Sequence, residues 1–188
     1  RPAVSANPLP HFEAVEGRSV FFADGLPFTV LTVEIEWDEL VYGRYRETRH
    51  AYDHLYPAAA EMGLNALKVP VKWSMVEPAE GVYDWTYVDH VRGMAEQHHL
   101  KLVLGWFGHY ASGQGTAYAD FKGEVYAPMY VIEDHVRFPR AVDADGDPHH
   151  DAVSYDHPAV VQREAAAFRA FMEHLRDVDR EHTVLMVQ

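Results

Sequence analysis

Apolar positions along this chain follow two rhythms that alternate. Val30–Glu34 (Val-Leu-Thr-Val-Glu) is a short apolar run behind turn signals at Asp24-Gly25 and Pro27, and it reads as a short buried strand. From Arg49 to Met62 the period becomes helical. Tyr52, Leu55, Tyr56, Ala59 and Met62 share one face, and Gly63 stands where a helix stops. Asn65–Val71 predicts a second strand, followed by a loop through Glu77-Pro78 and Glu80-Gly81. A helix is then expected from Thr86, as N-cap with Asp89 three residues on, to about His98, with Val88, Val91 and Ala95 inward. Lys101–Trp106 predicts a third strand, apolar enough to be buried on both faces. Residues 108–155 show no sustained period and carry Gly113, Gly115, Gly123, Pro128, Pro139, Gly146 and Pro148, which predicts a long loop. Pro158 suits the first position of a last helix with Phe168, Phe171, Met172, Leu175 and Val178 on its face, and Thr183–Gln188 predicts a fourth strand.

The order β, α, β, α, β, long loop, α, β implies an α/β fold with a parallel sheet. No Gly-x-Gly-x-x-Gly follows the first strand, which removes support for a dinucleotide-binding version of that class. A (β/α)₈ TIM barrel needs about 250 residues, and four β/α units are visible in 188. The expectation is therefore one incomplete domain, residues 1–188, forming the N-terminal half of such a barrel. No repeat, linker or low-complexity tract divides it.

Composition narrows the function. Net charge is −13, a sign that repels phosphate backbones and argues against a nucleic-acid partner while suiting a neutral substrate. Cysteine is absent, so neither disulfides nor Cys-ligated zinc enter, and no cofactor is expected. No apolar run approaches a membrane span, and the start, Arg1-Pro-Ala-Val, has neither a signal-peptide pattern nor an initiator Met, so the chain reads as processed or cut from something longer. Aromatic residues make up 13%, which fits either a sugar-binding cleft or an aromatic-rich core.

In a barrel, function gathers at the C-terminal ends of strands. The first strand ends with Glu34 and Glu36, alternating with apolar residues, so both can face one way or lie as solvated edge carboxylates. The second ends in Trp73, four residues before Glu77. A Trp there can floor a sugar site, and the carboxylate can either bond sugar hydroxyls or brace its own loop. The third ends at Trp106, followed by His109 and Tyr110. The candidate substrate-binding set is Glu34, Trp73, Glu77, Trp106, His109 and Tyr110. Other clusters carry less. Asp143-Ala-Asp145-Gly146-Asp147 fits an Asp-Gly turn better than a calcium loop. His149-His150-Asp151 reads as a solvated loop, and the pair His50 and His54 lacks a third ligand.

The run Trp73-x-x-x-Glu77-Pro78-x-x-Gly81-x-Tyr83-Asp84-Trp85, with Asn65, Leu67 and Pro70 before it, resembles the strand-2 signature of clan A glycoside hydrolases, above all the family 35 and family 42 β-galactosidases. Trp106-Phe-Gly108, Ala127-Pro-x-Tyr130-Val131, Arg137-Phe-Pro-Arg140, Phe171-Met-x-His-Leu175 and Thr183–Gln188 extend the likeness to most of the chain. Ser74-Met75-Val76 stands where family 35 commonly has Asn-x-His, so the resemblance does not fix the sugar. It implies a retaining, two-carboxylate hydrolysis of β-linked sugars. The acid/base Glu is expected just after Gln188 and the nucleophile after a seventh strand, leaving no catalytic residue in this chain. Two alternatives stay open: a carbohydrate-binding half-barrel without chemistry, or a barrel lyase or isomerase. A homo-oligomer is compatible with each.

Overall fold

A computed structural model describes residues 8–35, 53–108 and 126–188. The chain divides into two compact units, one of Arg1–Pro70, Val88–Gly105 and Leu175–Gln188, the other of Val71–Tyr87 and Trp106–His174.

The frame of the fold is a parallel sheet, most of whose residues belong to the first unit. Its four strands are β4 (Thr32–Glu34), β5 (Ala66–Lys72), β6 (Lys101–Phe107) and β9 (Val184–Val187), in the order β4-β5-β6-β9. Glu34 registers with Lys68 in the β4–β5 pair, and Leu102 with Val184 in the β6–β9 pair, both parallel. Sequence neighbours are thus sheet neighbours, as right-handed β-α-β crossovers produce. The middle strands are buried on both faces, with Leu67, Val69, Val71, Leu102 and Leu104 all at 0% exposure.

The expected burial of the first strand is corrected. Leu31 and Val33 are about half exposed, at 51% and 50%, because among the described residues β4 lies at the sheet edge and pairs with β5 alone. Asn65 fixes its entry, accepting from the Leu31 N–H at 2.8 Å and donating to the Thr29 carbonyl at 2.9 Å.

Helix α1 (Leu55–Glu61) buries Tyr56 and Ala59 but leaves Met62 76% exposed, so the apolar face is shorter than its spacing suggested. It ends as expected at Gly63, whose φ is +78°. The Gly63 N–H reaches the Ala60 carbonyl and the Leu64 N–H reaches the Ala59 carbonyl, both at 3.0 Å, the paired closure of a Schellman end. Helix α3 (Thr86–Gln97) buries Val88, Val91 and Ala95. Its cap differs from expectation: the Thr86 N–H is held by the Asp84 carboxylate at 2.9 Å, so Asp84 serves the first turn and Thr86 is already helical.

Seven elements went unpredicted. An antiparallel meander, β1 (His11–Val15), β2 (Arg18–Ala23) and β3 (Leu26–Pro27), precedes the sheet and turns at Glu16-Gly17 and Asp24-Gly25. A four-residue helix α2 (Trp73–Val76) follows β5 directly. The expected long loop contains helix α4 (Met129–Glu133) and a hairpin of β7 (Arg140–Val142) and β8 (Pro148–Val153). The Asp143–Asp147 stretch is the hairpin turn: Asp143 Oδ1 accepts from the Asp145 and Asp147 N–H groups at 3.0 and 2.9 Å. Helix α5 (Pro158–Val178) begins at Pro158 and buries Val160, Ala167, Phe171 and Leu175, while Met172 turns outward at 40% exposure.

The junction from α5 into β9 depends on Asp179, 8% exposed, whose two carboxylate oxygens accept from the Thr183 and Val184 N–H groups at 2.9 Å each. Nearby, the Lys101 ammonium donates to Asp24 at 2.9 Å and to the His182 carbonyl at 3.1 Å. Replacing Asp179 by Ala strands two N–H groups in a buried corner. Asp179→Ala is expected to lower unfolding free energy by about 2–4 kcal/mol, at roughly 1–2 kcal/mol per lost charge-assisted bond. Urea denaturation of both forms measures it, and a loss under about 0.5 kcal/mol would contradict it.

Candidate functional site

The second unit is organised around a carboxylate. Its core packs Trp73, Ala127, Val131, Phe138, Val153, Val160 and Ala167, with Tyr83, Trp106 and Tyr130 against them. Glu77 lies within this unit at 0% exposure. It arrives there because α2 makes one tight turn after β5 and ends with the Glu77 N–H bonded to the Trp73 carbonyl at 2.8 Å. A turn over Ala79–Val82 then folds the chain back, with Gly81 at φ +73°, where a side chain would be strained.

Both Glu77 oxygens are occupied. Oε2 accepts from Trp73 Nε1 at 2.7 Å and from the Tyr130 hydroxyl at 3.0 Å. Oε1 accepts from the Gly81 N–H at 2.6 Å and from Arg163 Nη2, while Arg163 Nε reaches Oε2 at 3.3 Å. Arg163 also donates to the Tyr83 hydroxyl at 3.1 Å. Burial works against the Arg163 charge, but the bond to Glu77 and the charge of Glu77 outweigh it and the guanidinium pKa is raised. Burial first, then the Glu77 charge, pushes the Tyr130 hydroxyl well up, so it remains a donor at ordinary pH. At the rim, Arg137 grips Glu80 with two 2.7 Å bonds. The strand-2 signature is therefore a clamp: each polar group of Glu77-Pro-Ala-Glu-Gly81 that appears here is spent on holding the loop.

The candidate residues separate. Glu77 and Trp73 have no exposed surface to offer a ligand as the chain stands. Of the two roles the sequence allowed Glu77, the geometry gives it loop bracing. Trp106 stacks on Phe171 at 5.4 Å, meets Phe168 edge-on at 5.3 Å and donates to Glu164 at 3.0 Å, so it belongs to the packing between β6 and α5. Glu34 lies in the first unit, exposed and paired with Lys68 at 2.9 Å. Trp73, Glu77 and Trp106 are brought together, and Glu34 belongs to the other unit. Glu36, His109 and Tyr110 lie outside the described residues.

Sequence reading missed Arg163, Tyr130 and Glu164, which are distant in sequence from the motif they serve. The signal for Arg163 was available: at i−4 from Ala167 and i−8 from Phe171, it stands on the apolar face of α5. Sequence reading also missed strand parity. Phe107 follows Trp106 within β6, so it occupies the opposite face of that strand. Among the described residues no group of three or more metal-binding side chains occurs, and no helix is long and apolar enough to cross a membrane.

Comparison with known proteins agrees at the level of fold. No protein-family model and no curated protein matches the sequence. Among solved structures, the chain is similar to the catalytic domain of a β-amylase from Paenibacillus polymyxa, with 17% identity and a TM-score of 0.55 over 69% of this chain. The match spans 31% of that chain's length. At that identity the likeness is one of fold alone: the chain shares an α/β fold with part of that catalytic domain.

Gly108, directly after β6, tests the packing. A Cβ there would run into the Glu164 carboxylate, which the Trp106 indole holds in place. Gly108→Ala is expected to cost about 1–3 kcal/mol, through overpacking or loss of the Trp106–Glu164 bond. A Glu164→Ala background should absorb the added methyl. Thermal unfolding of the single and double variants checks this, and equal effects of Gly108→Ala in both backgrounds would refute it.

Proposed function

We propose that this chain is the first part of the catalytic barrel of a glycoside hydrolase of the β-galactosidase type, acting on β-linked sugars with retention of configuration. The parallel sheet shared with a TIM-barrel glycosidase catalytic domain carries the proposal. The Trp73-to-Trp85 signature at the end of β5 supports the β-galactosidase type. The acid/base follows β9, beyond Gln188, and the nucleophile follows a later strand. In a retaining enzyme the two carboxylates stand about 5–5.5 Å apart, one protonating the leaving oxygen and the other attacking the anomeric carbon.

The described residues suit support for that chemistry. Glu77 and Trp73, fully buried, and Trp106, packed against the same core, brace two adjacent strand ends, which barrel catalysis requires because its reacting groups come from different strands. Glu34 at the end of β4, and His109 and Tyr110 after β6, are the residues proposed to reach the sugar.

The test is to assay the purified 188-residue chain and the full-length parent on aryl β-galactosides and other aryl glycosides. The parent should turn over at least one of them, and the chain alone should show none, since general acid catalysis alone is worth about 10²–10⁴-fold and the covalent route is lost with the nucleophile. Turnover by the chain alone would overturn the assignment of both carboxylates to later residues. An inert parent would overturn the hydrolase reading.

A further inference from the structure

We infer that Phe107 and Tyr126, backed by Lys72, form a platform for the apolar face of a neutral pyranose; this rests on the glycosidase reading above. Phe107 is the last residue of β6, and Lys72 the last of β5. These are adjacent strands, and their C-terminal ends are where a barrel builds its site. Strand parity puts Phe107 on the face away from Trp106, and therefore away from the Phe171 side of α5 that Trp106 packs against. What Phe107 meets instead is Tyr126, ring centroids 5.1 Å apart and planes inclined by 57°.

Tyr126 is held from two directions. Its carbonyl accepts from the Ser74 N–H at 2.8 Å, which fixes its backbone to the first turn of α2. The Lys72 ammonium sits 5.5 Å from its ring centroid. Lys72 is 3% exposed, so it is a support beneath the ring, while both rings keep part of their surface open. A cation beside a phenol ring favours one placement of it, and two inclined rings that each keep accessible surface suit the C–H face of a sugar, which offers apolar surface without charge. Phe107 and Tyr126 are the contacts and Lys72 the positioning residue. The strongly negative chain leaves such a platform best matched to an uncharged ligand.

The experiment uses the full-length parent with an aryl β-galactoside, and the 188-residue chain with methyl β-galactoside. In the parent, Phe107→Ala and Tyr126→Ala should each raise KM about tenfold or more with kcat within about threefold, the pattern of lost uniform binding. Lys72→Met should raise KM less, and Tyr126→Phe should stay near wild type because the ring face is kept. Thermal midpoints are measured alongside, since a purely structural role would lower stability and kcat together without selecting KM. If the parent hydrolyses the galactoside and both Ala variants keep wild-type KM, the platform is wrong and the hydrolase reading stands. If the parent hydrolyses no aryl glycoside, that reading has failed, and the platform is judged by saturation-transfer NMR on the chain. Signal from methyl β-galactoside that Phe107→Ala abolishes upholds the platform; absence of signal, or signal that survives the substitution, overturns it.

Discussion

A carboxylate with no access to water is the constraint around which the second unit is built. An ionised Glu in an apolar core costs several kcal/mol unless its charge and lone pairs are matched. Glu77 is matched by one guanidinium and three neutral donors, drawn from α2, the turn after it, α4 and α5. Those elements therefore cannot shift independently. Moving the turn breaks the Gly81 bond, moving α4 breaks the Tyr130 bond, and sliding α5 by one turn removes the only cation in the set. Buried ion pairs are weak contributors to net stability when compared with well-packed apolar replacements, but they penalise wrong registers heavily. Specifying one geometry at a strand end is a natural use for such a device.

That account also explains why the strand-2 signature is more informative about architecture than about ligand contact. Trp73, Glu77, Gly81 and Tyr83 are each consumed in the clamp or its surrounding packing. The platform proposed for a ligand lies instead on the other face of β6, at Phe107, with Tyr126 beside it.

Much of the frame was legible in the sequence. The buried middle strands announce themselves as apolar runs, Gly63 and Pro158 mark a helix end and a helix start through backbone geometry alone, and Asp143–Asp147 is readable as a turn from its Asp-Gly content. The meander strands β1 to β3, which alternate weakly, were not legible; β4 was legible as a strand but not as a half-exposed one at the sheet edge, because a short apolar run does not register edge position. Short elements such as α2 and α4 lie below the length at which a 3.6-residue period can be counted. Glu77 was legible as a special residue but not in its role, because its partners Arg163 and Tyr130 stand 86 and 53 residues away and only the fold brings them together. Trp73 and Trp106 were attractive as sugar platforms by residue type, and only packing shows that Trp73 is fully buried and that Trp106 is engaged by Phe168, Phe171 and Glu164.

The claim that Glu77 and Arg163 act as one unit is tested most directly by a double-mutant cycle in urea, with Glu77→Gln, Arg163→Met and the two combined. Each single change leaves its partner buried without its counter-charge or strongest bond, and the second change removes that penalty. The expected coupling is at least about 2 kcal/mol, near the top of the range for residues sharing one network, with the double variant no less stable than the weaker single. Additive losses, with coupling below about 0.5 kcal/mol, would show that the two side chains are neighbours without being partners, and the clamp would have to be abandoned.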